Sequence, residues 1–142
     1  MFKQITVFLE NKPGRLEEVT GCLAAENINI HAFSVADTTD FGILRMIVSE
    51  TEKAVIALKK KDFMVKIAPV IAIAMKHSPG SLHKVLQELK ELDISIEYMY
   101  AFTSRHKDHD AIVILSLSSQ EAALEKLKSS GFPVLEENLF ST

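Results

Sequence analysis

One stretch of this chain is written twice. Asn11-Lys12-Pro13-Gly14-Arg15-Leu16 opens an apolar-periodic segment that runs to Asn27-Ile28-Asn29-Ile30, and His77-Ser78-Pro79-Gly80-Ser81-Leu82 opens another that runs to Asp93-Ile94-Ser95-Ile96. Pro13 and Pro79, Leu16 and Leu82, Val19 and Val85, Leu23 and Leu89, and Ile28 and Ile94 all lie 66 residues apart. A fixed offset held through strand, turn, helix and strand means two copies of one small unit. In a chain of 142 residues each copy is close to the lower size limit for a self-sufficient core, so each has a reason to pack on the other.

Periodicity supplies the elements. Ile5, Val7 and Leu9 alternate with Gln4, Thr6, Phe8 and Glu10, the period of a strand with one face on a core, and Ile71, Ile73 and Met75 repeat it. A Pro-Gly turn follows, and then a helix whose core stripe is Leu16, Val19 and Leu23 or Leu82, Val85 and Leu89. Second strands are predicted from Ile28 to Val35 and from Ile94 to Phe102, third strands from Ile43 to Val48 and from Ile112 to Leu117. Second helices follow over Thr51 to Lys60 and Ser119 to Lys128, and short fourth strands over Phe63 to Ile67 and Phe132 to Glu136. The hairpin loops differ in length, Asp37 to Asp40 against Thr103 to Asp110, and beyond them the offset is 69, as in Leu58 and Leu127 or Phe63 and Phe132. Each half is then strand-helix-strand-strand-helix-strand, an α+β, ferredoxin-like unit with a four-stranded antiparallel sheet and both helices on one face. Pro69 marks the predicted boundary, giving domains 1–68 and 69–142 packed as one rigid body.

Composition narrows the function. The formal net charge is −3 and there is no basic block, which argues against nucleic acid. Met1-Phe2-Lys3-Gln4 leads into a strand pattern without the regions of a signal peptide, and no apolar run approaches membrane-spanning length. These features predict a cytoplasmic protein with no membrane partner. The single cysteine, Cys22, excludes an internal disulfide and paired-thiol chemistry, and is expected to pack as a small apolar residue.

The order strand, Asn11-x-Pro13-Gly14-x-Leu16, helix, then Asn29-Ile30 opening the next strand, resembles the ACT domain, a small-molecule-sensing module appended to many amino-acid biosynthetic enzymes. The resemblance covers the whole chain as two tandem copies. It implies a free amino acid held at an interface between two such units, by the turn after the first strand of one and the opening of the second strand of its neighbour. One site would take Asn11, Lys12, Pro13, Gly14, Arg15 and Leu16 of the first copy with Ile94, Ser95 and Ile96 of the second. A paired site with the roles exchanged would take His77, Ser78, Pro79, Gly80, Ser81 and Leu82 with Ile28, Asn29 and Ile30. The copies are unequal, since His77 and Ser95 stand where the first copy has Asn11 and Asn29. The physics agrees with such a ligand: backbone N–H groups at a helix N-terminus favour a carboxylate, and a side-chain amide offers both donor and acceptor. Read alone, Pro13-Gly14 is a well-formed turn and Asn11 a helix cap.

Other motifs carry less. His106-Lys107-Asp108-His109 holds two histidines and an acid but too few ligands for a metal, so neither metal nor cofactor is expected. His31 either lines the seam between copies or is simply half exposed. Tyr98, Tyr100 and Phe102 share one strand face, yet the third strands are aliphatic where an RNA-binding sheet needs basic and aromatic residues. Arg15 in the first turn would suit acylphosphatase-type chemistry, but the glycine pattern is absent, and no local nucleophile-base pair or phosphate loop occurs. The expectation is a non-enzymatic regulator of a partner enzyme or of its own assembly, with a ligand-free protein-interaction module as the alternative. Phe8, Ala72, Ala74 and Met99, expected on the sheet face away from the helices, require a cover, from a second copy in a homodimer or from within the chain.

Overall fold

The computed structural model describes residues 1–38, 40–106 and 109–136, the side chains of 104–106 and 109 excepted. These fall into two compact units, one of Lys3–Ala68 and one from Pro69 onward together with Met1–Phe2. The elements are β1 (Phe2–Glu10), α1 (Arg15–Ala25), β2 (Ile30–Asp37), β3 (Phe41–Val48), α2 (Thr51–Lys60), β4 (Met64–Met75), α3 (Ser81–Glu91), β5 (Ile96–His106), β6 (His109–Leu117) and α4 (Gln120–Ser129). Two tandem α+β units with antiparallel strands and two helices each result, as the repeat predicted.

In the first unit the strand order is β2-β3-β1, with β4 next to β1. The register pairs Ile5 with Met46, Val7 with Leu44 and Leu9 with Gly42. Ile5, Val7, Leu9, Leu44 and Met46 meet Val19 and Leu23 of α1 and Ala54 and Leu58 of α2 in one buried core. In the second unit the order is β4-β6-β5, and Ile71 pairs with Leu115 as Ile73 does with Val113. Val85, Leu89, Ala123 and Leu127 close that core. Cys22 is half-buried against the first core, in keeping with its apolar reading.

The helix ends repeat as faithfully as the strands. Asn27 and Asp93, 66 residues apart, take left-handed φ of 56° and 55°. Asp62 and Gly131, 69 apart, take φ of 62° and 82°. After each, a backbone N–H reaches back into the helix: Ile28 to Leu23 O at 2.9 Å, Phe63 to Leu58 O at 3.2 Å, Ile94 to Leu89 O at 3.2 Å and Phe132 to Leu127 O at 3.0 Å. These are Schellman closures, which satisfy the last carbonyls and turn the chain sharply into the next strand.

β4 runs through Pro69, since proline's φ suits extended backbone, and Gln120 Nε2 donates to its carbonyl. Three expectations need correction. The fourth strand of the second unit shrinks to a single bridge between Ile73 and Val134, flanked by Ala74 N–H to Pro133 O at 2.9 Å and Leu135 N–H to Ala72 O at 2.8 Å. Pro133 has no N–H to extend that ladder. The second hairpin is strand through His106 and again from His109, so little of the loop expected over 103–110 is loop. Met99 pairs with Leu115 and packs on the core under the helices, so it belongs to the opposite sheet face from the one expected.

Candidate functional site

Proline and glycine form both turns as the sequence requires. Gly14 and Gly80 sit at the helix N-caps with φ of 85° and 87°, and neither helix has a side-chain cap. Gly14 holds the N-cap position and the exposed Asn11 makes no capping bond, so Asn11 is not the cap that its residue type predicted. In each turn the same backbone bond folds the chain, Lys12 N–H to Glu10 O at 2.8 Å and Ser78 N–H to Lys76 O at 3.0 Å.

The side chains around the two turns then diverge. In the first, Lys12 Nζ lies 3.0 Å from Glu10, and Arg15 Nη1 lies 2.9 Å from Glu18 with Nη2 4.0 Å from Glu10. The Lys12 hydrogen bond, and then the charges of Lys12 and Arg15, hold the Glu10 carboxyl below its ordinary value. In the second, the Ser78 and Ser81 hydroxyls share a 2.8 Å bond and His77 N–H donates to Asp110 Oδ1 at 2.6 Å. The first turn of α1 carries Glu17 and Glu18, whereas that of α3 carries no acid. Both helix N-termini have the same dipole, but the first already has carboxylates beside it.

Leu16 and Leu82 depart from expectation in both copies. They belong to the apolar stripe by spacing, yet are 40% and 36% exposed, while Val19, Leu23, Val85 and Leu89 are buried. Lying in the first helical turn next to the Pro-Gly loops, they are available to a ligand.

The openings of the second strands are held alike. Asn29 N–H donates to Ser49 Oγ at 3.0 Å and Ser95 N–H to Ser118 Oγ at 3.0 Å. Ser49 and Ser118 return the bond from their own N–H groups, at 2.9 Å and 3.0 Å. Asn29 and Ser95 are exposed, and Ile30 is half-buried. Ile94, Ser95 and Ile96 border a shallow cleft of about 330 Å³ with Leu89 and Lys90 at the end of α3. His31 is half-buried, and desolvation lowers its pKa.

Register decides what one unit can bring together. Glu10, before the Asn11–Leu16 turn, pairs with Phe41, whereas Ile30 pairs with Val48 at the other end of β3. Met75 pairs with Ala111 and Ile96 with Leu117 in the same way. The turn and the second-strand opening of one unit therefore lie at opposite ends of its sheet. No single unit unites the two halves of the predicted site.

A feature that sequence reasoning missed lies beside the first turn. Arg15 and Glu10 open onto a cleft of about 230 Å³ whose walls are Phe8, Phe41 and Phe63, with Asp62 and Met64 at its rim. The Arg15 guanidinium lies 4.7 Å from the Phe63 ring centroid. The signal was present in the aromatic residues near the ends of β1, β3 and α2, but only the fold makes them neighbours. Among the described residues no three His, Cys, Asp or Glu side chains gather as a metal site, and His106-Lys107-Asp108-His109 lies outside the described side chains. Among the described residues no helix is long and apolar enough to cross a membrane.

The pattern of the ACT domain pair matches residues 1–141. The chain belongs to the ACT domain pair family. A solved protein from Bacteroides thetaiotaomicron is 45% identical, with 94% of this chain and 91% of that one aligned at a TM-score of 0.87. The ligand-free regulatory subunit of aspartate kinase from Thermus thermophilus is 18% identical over 91% of this chain and 92% of its own, with a TM-score of 0.63. The same subunit from Thermus flavus is 17% identical over 90% and 91%, with a TM-score of 0.59. At these identities the two kinase subunits show that the ACT pair fold is shared. No curated protein matches the chain.

Proposed function

We propose that this ACT pair is a non-enzymatic regulatory protein that binds a free amino acid, with 1–68 and 69–142 as its two sensing domains. The observation that carries the reading is the repeated helix entrance: a glycine in left-handed conformation, no side-chain cap, and an exposed leucine and Asn11 or His77 beside it. Such an entrance leaves backbone N–H groups for a carboxylate. The ligand-contacting residues are Asn11–Leu16 and His77–Leu82, complemented by Asn29 and Ile30 and by Ile94–Ile96. Since one unit holds its turn and its strand opening at opposite sheet ends, a ligand touching both kinds of group requires two units. A regulatory role for the fold is also the one named for the Thermus aspartate kinase subunits. Binding would act on a partner enzyme or on the association of this chain as a homodimer in the cytoplasm, by favouring one conformation or assembly.

A thermal-shift screen against the twenty amino acids tests the reading, because a ligand that binds only the folded state raises Tm by mass action. At least one amino acid is expected to raise Tm, and Asn11→Ala to weaken its binding in calorimetry; silence from all twenty at millimolar concentration removes the proposal. A second reading, a ligand-free interaction module, draws on Phe33 and Val35, which are 65% and 48% exposed on β2, an edge strand within its own unit.

A further inference from the structure

The cleft beside Arg15 belongs to the first unit alone. Counting 66 residues on, Phe8, Glu10 and Arg15 correspond to Ala74, Lys76 and Ser81; counting 69 on, Phe41, Asp62 and Met64 correspond to Asp110, Gly131 and Pro133. Only Phe63 keeps its like, in Phe132. The core positions are meanwhile retained: Ile5 and Ile71, Val19 and Val85, Leu23 and Leu89, and Leu58 and Leu127 are identical. A set of residues that the fold does not need, gathered by the fold around one hollow, calls for another explanation.

The chemistry of the hollow is specific. Three aromatic rings and the Met64 thioether offer a surface for a ring-sized apolar group, and aromatic pairs favour offset or edge-on contact there. Arg15 is three-quarters buried, with 24% of its side chain exposed, and its Nε–H is buried without an acceptor among the described residues. Glu18 occupies Nη1, while Glu10 stands 4.0 Å from Nη2. The edge formed by Nε and Nη2 is the one that takes a carboxylate in a bidentate fashion, and with Nε closed off as it stands, binding there turns the Arg15 side chain toward the cleft. An unmet buried donor costs free energy, which an incoming carboxylate would recover. Glu10 and Asp62 supply negative charge on the same rim for an ammonium group. The volume of about 230 Å³ lies below the ~300–1,000 Å³ of clefts for drug-sized ligands, so the occupant is small.

We propose that this first-unit cleft binds an aromatic amino acid, with its carboxylate on the Nε and Nη2 edge of Arg15 and its ring among Phe8, Phe41 and Phe63. The inference rests on the reading of the chain as an amino-acid binder and names the ligand class and the unit that selects it.

Calorimetry on the full chain with L-phenylalanine, L-aspartate and 3-phenylpropanoate tests it, using wild type, Arg15→Gln and Phe41→Ala. Phe41 is 49% exposed, so its truncation leaves the fold intact. L-phenylalanine is expected to bind more tightly than L-aspartate by about tenfold or more, the ratio that burying one ring supplies. Arg15→Gln should weaken it by about tenfold, as expected for losing hydrogen bonds to a charged group. Phe41→Ala should weaken it less, with Tm unchanged. Equal affinity for phenylalanine and aspartate, or undiminished binding by both variants, overturns the cleft while leaving the amino-acid reading standing. If no amino acid binds but 3-phenylpropanoate does so through Arg15, the amino-acid reading falls and the cleft remains as a carboxylate site. If neither phenylalanine nor 3-phenylpropanoate binds, the cleft proposal falls.

Discussion

The sheet face turned away from the helices differs between the two repeats. In the second unit Val70, Ala72, Ala74, Ile112 and Ile114 point to that side and all are buried. The equivalent residues of the first are Gln4, Thr6, Phe8, Ile43 and Arg45, of which the last four are half-exposed. Gln4, where the second unit has Val70, is buried and donates to Thr6 Oγ1 at 3.2 Å. The strand register is nevertheless the same: Phe8 pairs with Ile43 as Ala74 does with Ile112. The residues facing the helices build the fold, and they repeat. The residues on the other face answer to whatever covers them and have diverged, because register and core packing hold without them.

The most severe way to break this comparison is to exchange one pair. Ile114→Arg places in the second unit the residue that the first carries at Arg45. With Ile114 wholly buried the unpaired charge should cost about 4 kcal/mol in urea denaturation, while Arg45→Ile should cost about 1 kcal/mol or less. Equal losses would mean that the two faces have the same surroundings.

A milder test asks whether the turns are as alike as their geometry. Gly14→Ala and Gly80→Ala force an L-residue into φ of 85° and 87°, with no atom within 4 Å of the new Cβ. Backbone strain is then the whole effect, about 1–2 kcal/mol of stability in either unit. Unequal costs would show that one turn relaxes.

The smallest effect concerns the charge reversal between Glu10 and Lys76. The folded-state pKa of Glu10 is lowered, first by the Lys12 hydrogen bond and then by the charges of Lys12 and Arg15. The unfolded chain therefore binds a proton at this group before the folded one does, and the stabilisation present above the ordinary carboxylate value is lost as pH falls through the lowered one. Glu10→Gln should make the acid limb of the stability curve slightly shallower, and Lys76→Gln should leave it unchanged. A shallower limb in the lysine variant would place the acid sensitivity in the second repeat.

Much of the fold was legible because local rules and core periodicity agreed. The 66-residue offset located both Pro-Gly turns and both helix starts, and α2 spans Thr51–Lys60, as the spacing predicted. Less could be read where a long-range partner decides. Periodicity put Leu16 and Leu82 on the core stripe, but it cannot register that a first helical turn projects beyond the packed region. Met99 was placed on the wrong sheet face because its strand pairs irregularly between Ile96 and Tyr98, which shifts the alternation. Of the candidate site, the turns and strand openings could be read from motifs, whereas the aromatic cleft could not: Phe8, Phe41 and Phe63 are far apart in the chain and no motif joins them.

The amino-acid sequence by itself determined the duplication, the order of elements and the Pro-Gly turns that open the first helix of each repeat, since these follow from local backbone preference and hydrophobic period. Only the tertiary structure decided which apolar side chains remain exposed, that each turn sits at the opposite sheet end from its own unit's second-strand opening, and that Arg15 shares a cleft with three phenylalanines. Those outcomes depend on register and packing between distant segments, for which neither period nor propensity carries information.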